Sequence, residues 1–269
     1  MKKNLIVSTL LLGIVFASTS CKRDKKETLD NTITIDISTA ENLYSDLFKV
    51  VNNVSQTQEG IREDVIGCID SIYVDTLSMP KTVRIDFGSD DCVGEDGRIR
   101  KGKIHITYTG RYRDVGTIIT ITPENFTSNG YLVQGSQTVT NLGLNANDQL
   151  AYSVNVNGSI TAPDNAWTTQ WTSQRTRTWI QGQNTLTWLD DAYDITGTAS
   201  GVNRNGLAYT INVTHALRAN LICPWIVSGT LVLTPDGYDA RVIDFGNGDC
   251  NNAFTVTVNG ETVQYGTGD

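Results

Sequence analysis

The sequence predicts a mainly β protein, an extended antiparallel sheet or a β-sandwich with one short N-terminal helix. Three observations carry that expectation. Apolar and polar residues alternate with period two through most of the chain after residue 82, as in strands with one buried face. Asn-Gly or Asp-Gly dipeptides, which tolerate the positive φ of tight hairpins, recur at 96, 129, 157, 205, 236, 247 and 259. Only one stretch, residues 40–54, repeats its apolar residues at the three- and four-residue steps of a helix.

The first 20 residues read as a leader. Lys2 and Lys3 open it, and an apolar run from Leu5 to Phe16 follows. That run is shorter than the roughly 20 apolar residues a membrane span needs. Small residues, Ala17 to Ser20, then precede Cys21. A cysteine directly after them resembles the lipobox of bacterial lipoproteins. The resemblance implies that Cys21 becomes the mature N-terminus and carries acyl chains, so that the protein meets the membrane through this lipid. Residues 21–31 are charged and lack a core pattern, as expected of a flexible tether. Removing the leader takes away two lysines and no acid, moving net charge from −8 to −10. Such a chain is a poor partner for nucleic acid.

Residues 32–269 are expected to form a single antiparallel β domain. TITIDIS (32–38) alternates and is rich in β-branched residues, which predicts a short strand. In 40–54, Leu43, Leu47, Val50 and Val54 define a helix face, with Thr39 as its N-cap. Strands are predicted around 104–108, 150–156 and 207–213, each with alternating apolar residues. Asn157–Gly158, between VNV and SIT, is the most secure hairpin turn on these rules.

RIDFGSDDC (84–92) and VIDFGNGDC (242–250) form a weak internal repeat, each preceded by a further cysteine. With Cys21 lipidated, Cys68, Cys92, Cys223 and Cys250 remain, and four cysteines allow three pairings. The repeat favours Cys68 with Cys92 and Cys223 with Cys250, one bridge per copy. It also suggests one module reused at both ends of a continuous sheet.

Few residues point to chemistry. The two Asp-Phe-Gly tripeptides lack the glycine-rich loop, strand lysine and catalytic loop of a kinase. The acidic turns (Asp86, Asp90, Asp91, Glu95, Asp96; Asp244, Asp249) match no calcium-loop spacing and suit turn formation. The only histidines, His105 and His215, fall on separate strands, and no Cys/His cluster suggests zinc. Asp190, Asp191 and Asp194 would be the acids of a glycoside hydrolase, the least favoured reading. No cofactor and no metal are expected, and the chain is read as non-catalytic. The binding candidate is an aromatic and cationic stripe. Trp167, Trp171 and Trp179 are separated by even numbers of residues, so a continuous strand puts them on one face with Arg175 and Arg177. That face is either core or a surface platform for a sugar or protein.

Several stretches resemble a group of Bacteroidota cell-envelope lipoproteins: PKTVRIDFG (80–88), GRIRKGKIHITYTGRYRDVGT (97–117), RTRTWIQG (175–182), ITGTASGVNRNGLAYTI (195–211) and CPWIVSGTLVLTP (223–235). The resemblance implies an outer-membrane address and transfers no functional residue. Surface export in that group goes with acids after the lipobox cysteine. Here Lys22, Arg23, Lys25 and Lys26 dilute Asp24 and Glu27, leaving the cell surface and the periplasmic face both open. The expected role is a binding or structural module with an envelope glycan or protein partner. The alternative is a carrier holding a lipid or other amphipath in the concave side of a curled sheet.

Overall fold

The computed structural model describes residues 31–58 and 68–266. The leader, Cys21 and the tether as far as Asp30 lie outside the described residues. Among the described residues are one α-helix and 14 strands: α1 (Asn31–Gln58), β1 (Ser71–Asp75), β2 (Lys81–Asp86), β3 (Cys92–Val93), β4 (Ile99–Tyr108), β5 (Ile118–Ser128), β6 (Tyr131–Leu144), β7 (Leu150–Thr161), β8 (Thr168–Gln181), β9 (Ala192–Val202), β10 (Ala208–Asn220), β11 (Ile226–Pro235), β12 (Arg241–Asn247), β13 (Phe254–Val258) and β14 (Glu261–Tyr265). A three-residue 3₁₀ turn at Pro163–Asn165 joins β7 to β8. The strands form one antiparallel sheet in chain order from β1 to β14, with β3 an extra partner of β4. The sheet is a meander, because every connection is short enough to return the chain beside the strand it left.

Helix α1 lies inside this sheet. Its apolar residues are buried (Ile33, Ile37, Leu43, Leu47, Phe48, Val54), and so are Thr34, Asp36, Asp46, Asn52 and Gln56 on its other sides. A helix covered on nearly every side must be wrapped, and its partners come from much of the sheet. Phe48 packs edge-on against Tyr152 of β7 and Tyr193 of β9. The Tyr44 hydroxyl donates to the Gln134 carbonyl on β6 at 3.0 Å. Ser55 meets the Tyr108 hydroxyl of β4 at 2.6 Å.

Three expectations need correction here. TITIDIS is helical: α1 begins at Asn31, and Thr39 lies inside it rather than at its cap. Ile33, Ile37 and Ala40 continue the apolar line of the 40–54 segment, and burial against the sheet overrides the strand preference of Thr and Ile. Asn157–Gly158 is no turn; it sits within β7, where Gly158 pairs with Gly135 and Trp171. A Cβ on Gly158 would fall 2.1 Å from the Gln134 carbonyl oxygen and 2.3 Å from the Tyr44 hydroxyl. The glycine is there for close approach. Asn129–Gly130, Asn205–Gly206, Asp236–Gly237 and Asn259–Gly260 do separate consecutive strands.

The repeat has a structural counterpart. Cys68 and Cys92 are bonded at the open end of the β1–β2 hairpin, and Cys223 and Cys250 at the open end of the β11–β12 hairpin. In each copy the aspartate accepts a bond from the glycine two residues on, Gly88 to Asp86 at 2.9 Å and Gly246 to Asp244 at 2.8 Å. The phenylalanine between them is buried in both, as Phe87 and Phe245. The same clamped hairpin thus recurs near each end of the meander.

Candidate functional site

Trp171, Arg175, Arg177 and Trp179 share one face of β8, as their spacing predicts, and that face points inward. Trp171 and Trp179 are 1% exposed, and Arg175 and Arg177 are 5% and 4% exposed. Of the two alternatives for this face, core holds and the surface platform does not: the shared face is the one that α1 covers. Glu41 of α1 pairs with Arg175. Arg177 lies over the Phe48 ring, 4.3 Å from its centroid. Burial, helped by the neighbouring Arg177, pulls the Arg175 guanidinium down to about 9, and burial pulls Arg177 down to about 10. Both values keep the groups charged at neutral pH. Trp167 stands apart, half-buried at the start of β8, with Arg204 3.7 Å from its ring centroid and Tyr131 beside it.

The other interior charges are arranged in pairs along α1. Asp36 accepts from Arg204 of the β9–β10 turn, through Nε at 2.8 Å and the backbone N–H at 3.0 Å. Asp46 accepts from Arg100 Nε of β4 at 3.1 Å and from the Ser128 hydroxyl of β5 at 2.8 Å, and Arg98 stands 3.6 Å away. Asp96 bridges Lys49 and Arg100, both at 2.7 Å. Burial by itself would raise the Asp46 carboxyl. Arg100 and Arg98 outweigh it and hold the group below the usual carboxylate range. Asp96 is held well below that range by Arg100 and Lys49 against the same opposing burial. Lys49 goes down, because burial exceeds the attraction of Asp96. Such a lattice fixes the helix register against the sheet, since each carboxylate fits one guanidinium position. Sequence reading missed these partners. Their signal was weak but present: acids at 36, 41 and 46 along the helix, and arginines at 98 and 100 opening a strand.

The acids weighed for hydrolysis do not converge. Asp194 pairs with Arg218 at 2.6 Å, and Asp190 accepts from the Thr185 hydroxyl at 2.9 Å in the β8–β9 loop. Asp191 is buried at the base of that loop. The histidines lie on the exposed side of the sheet, His105 against Glu124 and His215 against Thr230. Among the described residues no group of three or more His, Cys, Asp or Glu is placed to hold a metal ion.

A groove reaches the N-terminal half of the helix. It measures about 230 Å³ and runs between the N-terminal half of α1 and strands β11–β13. Its walls are Ile35, Leu43, Trp225, Ile226, Phe245 and Phe254, and its rim carries Asn42, Asn129 and Asn251. Ile35, 43% exposed, is where α1 shows through the wall. Arg98 lines the groove with its guanidinium already used, donating to the Pro224 carbonyl and standing beside Asp46 and Ser128. The groove thus offers apolar contact and amide edges without a free charge.

No family model, curated protein or solved structure matches the chain.

Proposed function

We propose that this protein is a lipid-anchored module of a bacterial outer membrane that binds or braces other envelope components without catalysis. The anchor half of the reading rests on Lys2, Lys3, the Leu5–Phe16 run and Cys21 after four small residues. One acyl chain holds a protein only marginally, so more than one chain on Cys21 would anchor it firmly. The module half rests on one observation above the others: the concave side of the sheet is filled by α1, and Asp36, Glu41, Asp46 and Asp96 are all paired there. An active site needs a group left available to a substrate. These carboxylates are committed to structure.

The groove beside α1 favours a second reading, a periplasmic carrier of a small amphipath. Its volume falls short of the roughly 300–1,000 Å³ of drug-sized ligand sites, so it suits a ring or a chain end. Membrane fractionation of wild type against Cys21→Ser tests the main reading. The wild type is expected with the outer membrane and the variant in the soluble fraction. A Cys21→Ser protein that stays fully membrane-bound overturns the anchor. Native mass spectrometry of the same soluble variant tests the carrier, for which extra mass lost on denaturation is the required result.

A further inference from the structure

The outer face of the central strands is built from uncharged hydrogen-bonding residues in register. One ladder crosses β6 to β10 as Thr138, Asn155, Gln174, Thr198 and Asn212. The next runs Ser136, Asn157, Thr172, Ser200 and Thr210. A third, on the other side of the first, runs Thr140, Ser153, Thr176 and Thr196. These 14 positions include no acid and no base. At this chain's own charged fraction of 19% they would hold two or three. A charged pair, Asp194 with Arg218, lies near the start of β9 and the end of β10, one row beyond the third ladder. The face also has a depression. A trough of about 650 Å³ lies over β8–β11, floored by Thr172, Gln174, Thr198, Ser200, Thr210 and Asn212. Beyond Asn212 the β9–β10 register shifts, a bulge that bends β10 beside the trough.

We propose that this face is a binding surface for a neutral, hydroxyl-rich polysaccharide. The proposal rests on the binding-module reading and names its surface and ligand class. Hydroxyl and carboxamide groups both donate and accept, as sugar hydroxyls do. Other occupants fit less well. Nucleic acid and anionic lipid need cations, and the ladders have none. An apolar chain would leave these groups unsatisfied. Protein interfaces are enriched in aromatic residues, Met and Arg and depleted in Ser, the reverse of this surface. Strands spaced about 4.8 Å apart make the five-strand ladder roughly 19 Å long, enough for a short oligosaccharide segment. Each contact replaces a water contact at small net gain, so affinity comes from repetition along the polymer.

Affinity electrophoresis of the folded Cys21→Ser protein tests this, with dextran, mannan, galactan or xylan in the gel and polygalacturonate as the acidic comparison. At least one neutral polymer is expected to retard the protein, with retardation unchanged by added salt. Gln174→Glu with Thr198→Glu, and separately Thr172→Lys with Ser200→Lys, place charges on exposed or trough positions and are expected to weaken retention tenfold or more. The control Thr262→Glu with Gln264→Glu on β14 adds the same charge elsewhere and is expected to bind as the parent does. Thermal melts show which variants are folded, and the two pairs of opposite sign keep the test open if one misfolds. No retardation by any neutral polymer overturns the proposal. So does retardation by polygalacturonate alone, or opposite effects of the Glu and Lys pairs, which would mark a charged polymer or a protein partner. These outcomes leave the fractionation of the wild type untouched, so failure here is distinct from failure of the anchored-module reading.

Discussion

Asp46 is fully buried and touches two strands at once, taking bonds from Arg100 of β4 and Ser128 of β5. Removing one partner of a buried pair leaves an uncompensated charge, which costs about 3–5 kcal/mol. Asp46→Asn is therefore expected to lose stability near that range, read as a shift in urea midpoint at neutral pH. The pH dependence follows from the same contacts. Asp46 and Asp96 both have folded values below the usual carboxylate value. A depressed carboxyl contributes stability above its unfolded pKa, near 3.9, and loses it as pH falls through the folded value. The urea midpoint should hold from neutral pH down to about 5 and decline below about 4. Lys49, lowered by burial, acts with the same slope but only on the alkaline side, where stability rises as pH climbs towards its unfolded value. In Asp46→Asn the acid decline should be shallower. Superimposable declines in the two proteins would show that Asp46 is not a source of the acid sensitivity.

At the level of elements, the two clamped hairpins do the same work at either end of the sheet. Their cysteines are 24 and 27 residues apart, loops for which the chain-entropy account gives about 3–4 kcal/mol each. Changing Cys223 and Cys250 together to Ser should lower unfolding free energy by about that amount, measured in urea without reductant. A far smaller loss would mean that the β11–β12 pairing already restricts the unfolded chain. These hairpins were legible in the sequence, because a cysteine, a strand and an Ile-Asp-Phe-Gly exit lie close together in the chain. The strands were legible for the same reason: alternation is a local pattern. Residues 32–38 were not, since Thr34 and Asp36 are polar positions buried by distant partners, and Arg204 is 168 residues from Asp36. Gly158 misled because its reason is the approach of Tyr44 and Gln134, not a turn. The β8 stripe was read correctly as one face. Which side of the sheet that face took depended on where α1 settled. The groove left no local mark at all, because Ile35, Arg98, Asn129, Trp225 and Phe254 come from five separate stretches of chain.

For the molecule as a whole, the question is whether α1 is part of one cooperative core or a plug that can leave. The sheet is a chain-order meander, so its own pairings are mostly between neighbours. The helix, by contrast, closes the longest loops, joining β4, β6, β8 and the β9–β10 turn through Asp46, Tyr44, Glu41 and Asp36. An empty sheet would expose Trp171, Trp179, Tyr193 and the four paired or stacked basic groups Arg98, Arg100, Arg175 and Arg177. Losing both the apolar contact and the counter-charges at once should make separate release of the helix as costly as unfolding. Native-state hydrogen exchange is thus expected to give α1 amides the same opening free energy as those of β7–β9, falling together as urea is added. If α1 amides instead exchange through a cheaper opening that leaves β7–β9 protected, the helix is separable. The concave side would then be a conditional cavity, and the carrier reading would gain the room that the groove beside α1 lacks.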